Sequence, residues 1–287
     1  MKAASKGKDK KASKKKTLDP TGIHEIDILQ DRTNCSLSDY IAAVSAYVRG
    51  SSSFDSGIKK SAQIRLSNAL AIAFVNDFRK QVPEPKLGVT NVGEHKLSGG
   101  LRSGNVDISE THKLDGIRVA IEIKPVNLAV GRAIWNRFGD LRTFAVNLHL
   151  KFPFSVLGGV LVIPTWEETG SKAATKAEKT EEAIEEDDIE DLADGVVAST
   201  EETSVESSAP VRRSTVHLIE RAITRLIRAG GRKTEGDAAH LLEGIAVVVY
   251  DPDAGILHSD LPAVGSGLRW DEFIKALADA YKGRFED

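Results

Sequence analysis

The chain has 287 residues, 41% of them hydrophobic, which is enough for one large folded domain or two small ones with a sizeable core. Its single cysteine, Cys35, excludes a disulfide framework and a cysteine-based zinc centre, and fits a reducing, cytoplasmic setting. The net charge of -3 conceals two opposed blocks: residues 1–16 carry eight lysines and one aspartate, residues 167–206 carry fifteen acids and three lysines, and the remainder is only mildly basic.

The opening MKAASKGKDKKASKKK has no apolar core of a signal peptide, and no later run is long and apolar enough to span a bilayer. A lysine-rich tail over residues 1–18 is expected to be disordered, serving either to hold phosphates loosely or to solubilise. A first helix is predicted from Leu37 to Val48, capped by Ser36 or Ser38 and followed by Gly50. A second runs from Ser61 to Val82, with Leu66, Leu70, Phe74 and Phe78 at every fourth position and Pro83 as its stop.

The glycines of LSGGLRSGN read as turns, and NVDIS and IRVAIEIKPV read as the two strands of a β-hairpin around HKLDG. Helical periodicity resumes from Ala129 to Leu148, and Val156 to Pro164 is a buried strand. The acidic stretch, taken as residues 169–210, has too little apolar mass to offset the entropy of ordering and is expected to be a disordered insertion. After it come a helix from near Ser214 to Gly230, the strand GIAVVVY, and a last helix from Trp270 to Tyr281. The expected division is therefore a tail over 1–18, a first core part over 19–168, the insertion over 169–210 and a second core part over 211–287. The fold class is α/β, with a central mixed sheet flanked by helices.

The hairpin carries the chemistry. A period of two places Val119, Ile121 and Ile123 on one face of the second strand, as core, and Ala120, Glu122 and Lys124 on the other, charged face. A turn near Leu114, Asp115 and Gly116 sets Asp107 across from residues 122–124. Two carboxylates and a lysine at one place suit phosphoester hydrolysis, because carboxylate oxygens bind Mg²⁺ and a lysine can orient the attacking water and offset charge on the phosphate. The same acid-x-lysine spacing recurs at Glu84-Pro85-Lys86, Glu94-His95-Lys96 and Asp9-Lys10-Lys11, so the strand context and the facing Asp107 single out Glu122, not the spacing.

Asp107, fourteen intervening residues, and then Glu122-Ile123-Lys124 resemble the PD-(D/E)xK nuclease superfamily, which includes many type II restriction endonucleases, over residues 61–165. The resemblance implies a restriction-endonuclease-like core and an Mg²⁺-dependent DNA endonuclease acting as a homodimer. Asp107, Glu122 and the Ile123 carbonyl would be metal ligands and Lys124 the catalytic lysine. Val106 stands where the superfamily's name has proline, and the helix from Ser61 to Val82 lacks the glutamate that many members place there, with Asn68, Asp77 or Glu94 as substitutes. Other expectations from the same resemblance are a non-catalytic DNA-binding or scaffold protein, and a nuclease of repair or phage biology.

Two polar stripes are further candidates for nucleic-acid contact. Arg132, Asn136 and Asp140 recur on the helix after the hairpin, where the alternative is a solvated face with an internal ion pair. Arg221, Arg225 and Arg228 lie opposite an apolar stripe on the later helix and form a basic ridge with Arg212, Arg213 and Arg232. Serine and cysteine hydrolase chemistry finds no support, since Cys35 sits in a polar loop and there is no nucleophile elbow or P-loop. No two histidines stand at metal-ligand spacing, and His112 falls in the hairpin turn.

Overall fold

A computed structural model describes residues 35–51, 54–83, 89–127, 129–169 and 211–286. The tail over 1–18 and all but the first residue of the insertion over 169–210 lie outside the described residues.

Helix α1, Leu37–Gly50, opens with a reciprocal cap: Asp39 N–H donates to Ser36 Oγ, and the Asp39 carboxylate accepts from Ser36 N–H at 3.0 Å. Gly50 is its last residue and does not follow it. Helix α2, Ser56–Gln81, starts five residues before the predicted Ser61, because Asp55 accepts from Ile58 N–H at 2.8 Å and caps a turn with no apolar periodicity of its own. Leu66, Leu70, Phe74 and Phe78 are buried, as the spacing predicts.

Six strands form one mixed sheet in the order β1-β2-β3-β4-β7-β8. β1 (Val89–Ser98), β2 (Ser103–His112) and β3 (Gly116–Pro125) run antiparallel; β4 (Val156–Pro164) and β7 (Gly244–Asp251) continue parallel to β3, and the short β8 (Ile256–Leu257) closes the edge antiparallel to β7. Helix α3, Val130–His149, joins β3 to β4, and α4, Val216–Leu226, lies on the connection from β4 to β7. Parallel neighbours require such crossovers, and taking both on one side stacks α3 and α4 together. Ile134, Leu141, Ile219 and Leu226 pack there against Leu157, Leu161 and Val247 and form the second of two cores. The opposite face, which holds the first and larger core, is covered by α1, α2 and α5 (Trp270–Phe285) through Tyr47, Leu70, Phe74 and Phe273. Gly158 permits that close packing, since a Cβ there would meet Ile121, Leu277 and Phe273 side chains at 2.7 to 2.9 Å.

The structure corrects several expectations. β3 does not have one core face and one solvated face: helices cover both sides, Ala120 is buried in the second core, and Glu122 is itself buried. β1 was unforeseen, because VTNVGEHKLS lacks alternation; of LSGGLRSGN only Gly99 to Arg102 form the turn. A two-stranded ribbon, β5 (Trp166–Thr169) with β6 (Val211–Ser214), brackets the acidic segment, so Thr169 belongs to a strand and not to the insertion. Cys35 is not in a polar loop but 1% exposed in the first core.

Arg232, expected in a basic surface ridge, is instead buried, at 3% exposure, in an ionic hub on Glu243. Glu243 Oε1 lies 3.0 Å from Arg232 Nη1 and 2.8 Å from Arg284 Nη2. Its Oε2 accepts from Leu157 N–H at 2.7 Å and lies 3.4 Å from His149 Nε2. Burial pushes the Glu243 carboxyl up, but His149, Arg284 and the Leu157 amide outweigh it and hold it below the usual carboxylate range. The hub ties α3, β4, the loop before β7 and α5 together. Glu243→Ala leaves the buried Arg232 guanidinium and the half-buried Arg284 guanidinium without their anion and is expected to cost about 3 to 5 kcal/mol. Urea unfolding checks this, and an unchanged midpoint would show the hub to be dispensable.

Candidate active site

β2 and β3 pair regularly where Glu110 faces Val119, Ser109 faces Ala120 and Ile108 faces Ile121. The turn between them, Lys113 to Asp115, ends at Gly116, whose φ of 73° disfavours any side chain. Regularity fails at Asp107. Ile108 lies in the first core but Val106 lies in the second, so the two-residue alternation breaks between them. β1 bulges at the same level: its register jumps between Val92, opposite Ile108, and His95, opposite Val106, setting Gly93 and Glu94 against Asp107 alone. There the Asp107 side chain takes over a ladder position, Oδ2 accepting from Ile123 N–H at 2.6 Å. Ser67 Oγ, on α2, lies 3.5 Å from Asp107 Oδ1.

The next residue back on β3, Glu122, is only 8% exposed. Its Oε1 is ion-paired with Lys124 Nζ, and its Oε2 is buried without a hydrogen-bond partner among the described residues. Burial pushes its carboxyl from an ordinary 4.5 up to about 7; Lys124 pulls the other way, and the nearby Asp107 and Asp140 charges add to the rise. Asp107, Glu122 and Lys124 are thus neighbours, as the hairpin register predicts.

Glu122 and Lys124 open onto a cleft of about 550 Å³ between the β1–β2 hairpin and α3, whose walls include Lys96, Arg102, Asp140 and Asn147. Asp107 is not among the lining residues. Of the stripe Arg132, Asn136 and Asp140, only Asp140 reaches the cleft, while the other two are exposed elsewhere on α3. The reason is position along the helix: the residues of α3 that line the cleft, Asp140, Thr143, Phe144, Asn147 and Leu148, all lie in its C-terminal half, whereas Arg132 stands about 12 Å before Asp140 along the axis. Asp140 is also paired with Arg137 at 2.9 Å. Arg221 and Arg225 are exposed on α4 and Arg228 in the 3₁₀ turn Ile227–Ala229 that follows it, and none of the three lines the cleft; Arg225 lies over the Trp135 ring at 4.5 Å.

Among the substitutes for a helix glutamate, Asp77 already accepts from Trp270 Nε1 at 2.8 Å and pairs with Lys80, and Ser67, not Asn68, faces Asp107. Glu94 sits in the β1 bulge, and its side chain lies outside the described residues. His112 is the last residue of β2, not part of the turn, and lies 3.0 Å from Asp115. Arg102, Thr143 and Asn147 carried no sequence signal, being single polar residues in a turn and on a helix face, while Lys96 stood out only as the end of the Glu94-His95-Lys96 spacing.

Among the described residues no three His, Cys, Asp or Glu side chains cluster closely enough to hold a metal. Mg²⁺ nevertheless suits the donor set, since it keeps several waters and needs only one or two protein carboxylates. The unpartnered Glu122 Oε2 is an oxygen that such a cation would satisfy. Searches of family models, curated proteins and solved structures find no match to this chain.

Glu122 keeps its proton in the folded chain at pH values where the unfolded chain releases it. Its contribution to stability is therefore full below pH 4.5 and is lost as pH rises to about 7. The shift corresponds to about 3 kcal/mol. In EDTA, the unfolding temperature should fall less over this window for Glu122→Gln than for the wild type. Thermal melts decide this, and parallel pH curves for the two proteins would remove Glu122 as the titrating group.

Proposed function

We propose that this protein is a metal-dependent nuclease of the PD-(D/E)xK type that hydrolyses DNA phosphodiester bonds. The observation that supports it most directly is the buried Glu122 carboxylate, one oxygen on Lys124 and the other unpartnered, beside Asp107 at the head of a cleft. The mixed sheet, with a hairpin followed by a helix and a parallel strand, is consistent with a restriction-endonuclease-like core.

In this reading Asp107, Glu122 and the Ile123 carbonyl would hold Mg²⁺. When bound, the ion offsets the negative charge that develops on the phosphate. Asp107, fixed by the Ile123 amide, sets the position of its own carboxylate relative to Glu122. Lys124, fixed by Glu122, presents its ammonium to the attacked phosphate and orients the water. The water oxygen bonds to phosphorus, the bond to the 3′ oxygen breaks, and the proton released by the water balances the one the leaving oxygen gains. The products are a 5′-phosphate and a 3′-hydroxyl. A restriction-like enzyme cutting both strands of a symmetric duplex works as a homodimer, with one site per strand.

One observation favours the rival reading, a DNA-binding or scaffold protein without catalysis: no third carboxylate joins the pair among the described residues. Incubation with plasmid DNA separates the two. The wild type should nick or linearise it in Mg²⁺ and not in EDTA, and Asp107→Ala and Lys124→Ala should each slow cleavage at least about 100-fold. Cleavage by Lys124→Ala at the wild-type rate would remove the mechanism, and absence of cleavage with Mg²⁺ or Mn²⁺ would favour the scaffold.

A further inference from the structure

We propose that the β1–β2 hairpin is a rigid jaw that grips the backbone of the DNA strand entering the cleft, with Lys96 and Arg102 as its phosphate contacts and Asn147 as the residue that positions it. The inference rests on the nucleic-acid reading of the cleft and adds residues outside the hydrolytic trio.

The hairpin turn is fastened to the C-terminal end of α3 chiefly at Asn147, whose side chain makes three of the bonds. Asn147 Oδ1 accepts from both Leu101 N–H and Arg102 N–H at 3.0 Å, and its Nδ2 donates to Arg102 O at 3.0 Å. Gly100 N–H adds a bond to the Asn147 carbonyl at 2.7 Å, and Lys151 Nζ reaches Ser98 Oγ at 3.0 Å. The approach is so close that a Cβ on Gly99 would stand 2.3 Å from the Asn147 amide. Asn147 is buried, so these bonds are shielded from water. Both backbone groups of Arg102 are therefore held by a single buried amide, while its side chain stays exposed on the cleft wall.

The charges along the cleft point the same way. Lys124 is taken by Glu122 and Asp140 by Arg137. Lys96 and Arg102 line the same cleft, are exposed, and have no carboxylate partner among the described residues. Ser98 pairs with Ser103, so Arg102 lies about three residues beyond Lys96 along the ribbon, roughly 10 Å at strand spacing. That matches the axial rise of about three nucleotides. Two cations held at a fixed interval, leading toward Glu122 and Lys124, form a track for a polyanion. Fixing them in advance on the backbone reduces the ordering cost of each phosphate contact.

The test is the salt dependence of binding to a fluorescein-labelled DNA duplex, read by anisotropy in EDTA and again with Ca²⁺, beside plasmid cleavage in Mg²⁺. Lys96→Ala/Arg102→Ala, both surface changes, should weaken binding and lower the slope of log K against log salt by about two, and Arg102→Lys should keep its share of the slope. Asn147→Ala, with folding verified by thermal melting, should lower the slope without removing any charge, which a loss of stability alone would not do. An unchanged slope in the double variant overturns the jaw, as does absence of duplex binding by the wild type in both media. So does a fall confined to the Arg221→Ala/Arg225→Ala/Arg228→Ala control. A lowered slope in a protein that never cleaves leaves the jaw standing and removes the nuclease reading; cleavage with an unchanged slope does the reverse.

Discussion

Glu122 is a carboxyl group almost wholly removed from water, with one oxygen on an ammonium group and the other without a hydrogen-bond partner among the described residues. Desolvating an ion without full compensation is among the more expensive things a fold can do, and the chain bears it in the centre of its main sheet. The surrounding architecture makes this possible. β3 is an interior strand with helices on both faces, so its polar residue cannot turn to solvent. Asp107 adds a second negative charge beside it and Lys124 answers only one of the two. An arrangement that is poor for stability at this point is the feature on which the proposed nuclease reading rests.

The local backbone serves that site. Asp107 leaves the alternation of its own strand and takes a ladder hydrogen bond from Ile123, and the neighbouring strand accommodates it with two residues against one. Bulges of this kind re-aim a side chain where regular pairing would bury it in the wrong layer. Ser67 on α2 approaches the same carboxylate from the adjoining layer, so three elements converge on one residue.

Away from the site the fold is over-determined. The parallel strands β4 and β7 are buried along nearly their whole length, as two-sided coverage demands, and the Glu243 hub locks α3, β4 and α5 at one end of the sheet. α3 is therefore fixed at its C-terminal end, where Asn147 in turn holds the β1–β2 turn. Rigidity passes from a buried ionic hub, through a helix end, to the wall of the cleft. Arg232 and Asn147 look like ordinary surface residues in the chain, yet both act inside it.

Periodicity and turn chemistry by themselves determined where α2, β3, β4 and β7 lie, and hairpin closure placed Asp107 against residues 122–124, because strand register follows from the turn and the period of two. They also singled out Glu122 and Lys124 among several equal spacings. What they could not determine was everything that depends on a neighbour distant in sequence. Whether β3 is half-exposed or interior depends on α1, α2 and α5 covering one face and α3 the other. Whether Arg232 is a surface cation or a buried partner depends on Glu243, and which row of α3 faces the cleft depends on how that helix is rolled onto the sheet. Local pattern reports one element's own preference, whereas burial and partnership are properties of the assembled layers. The charged trio was legible in the chain for that reason, and the cleft onto which Glu122 and Lys124 open was not.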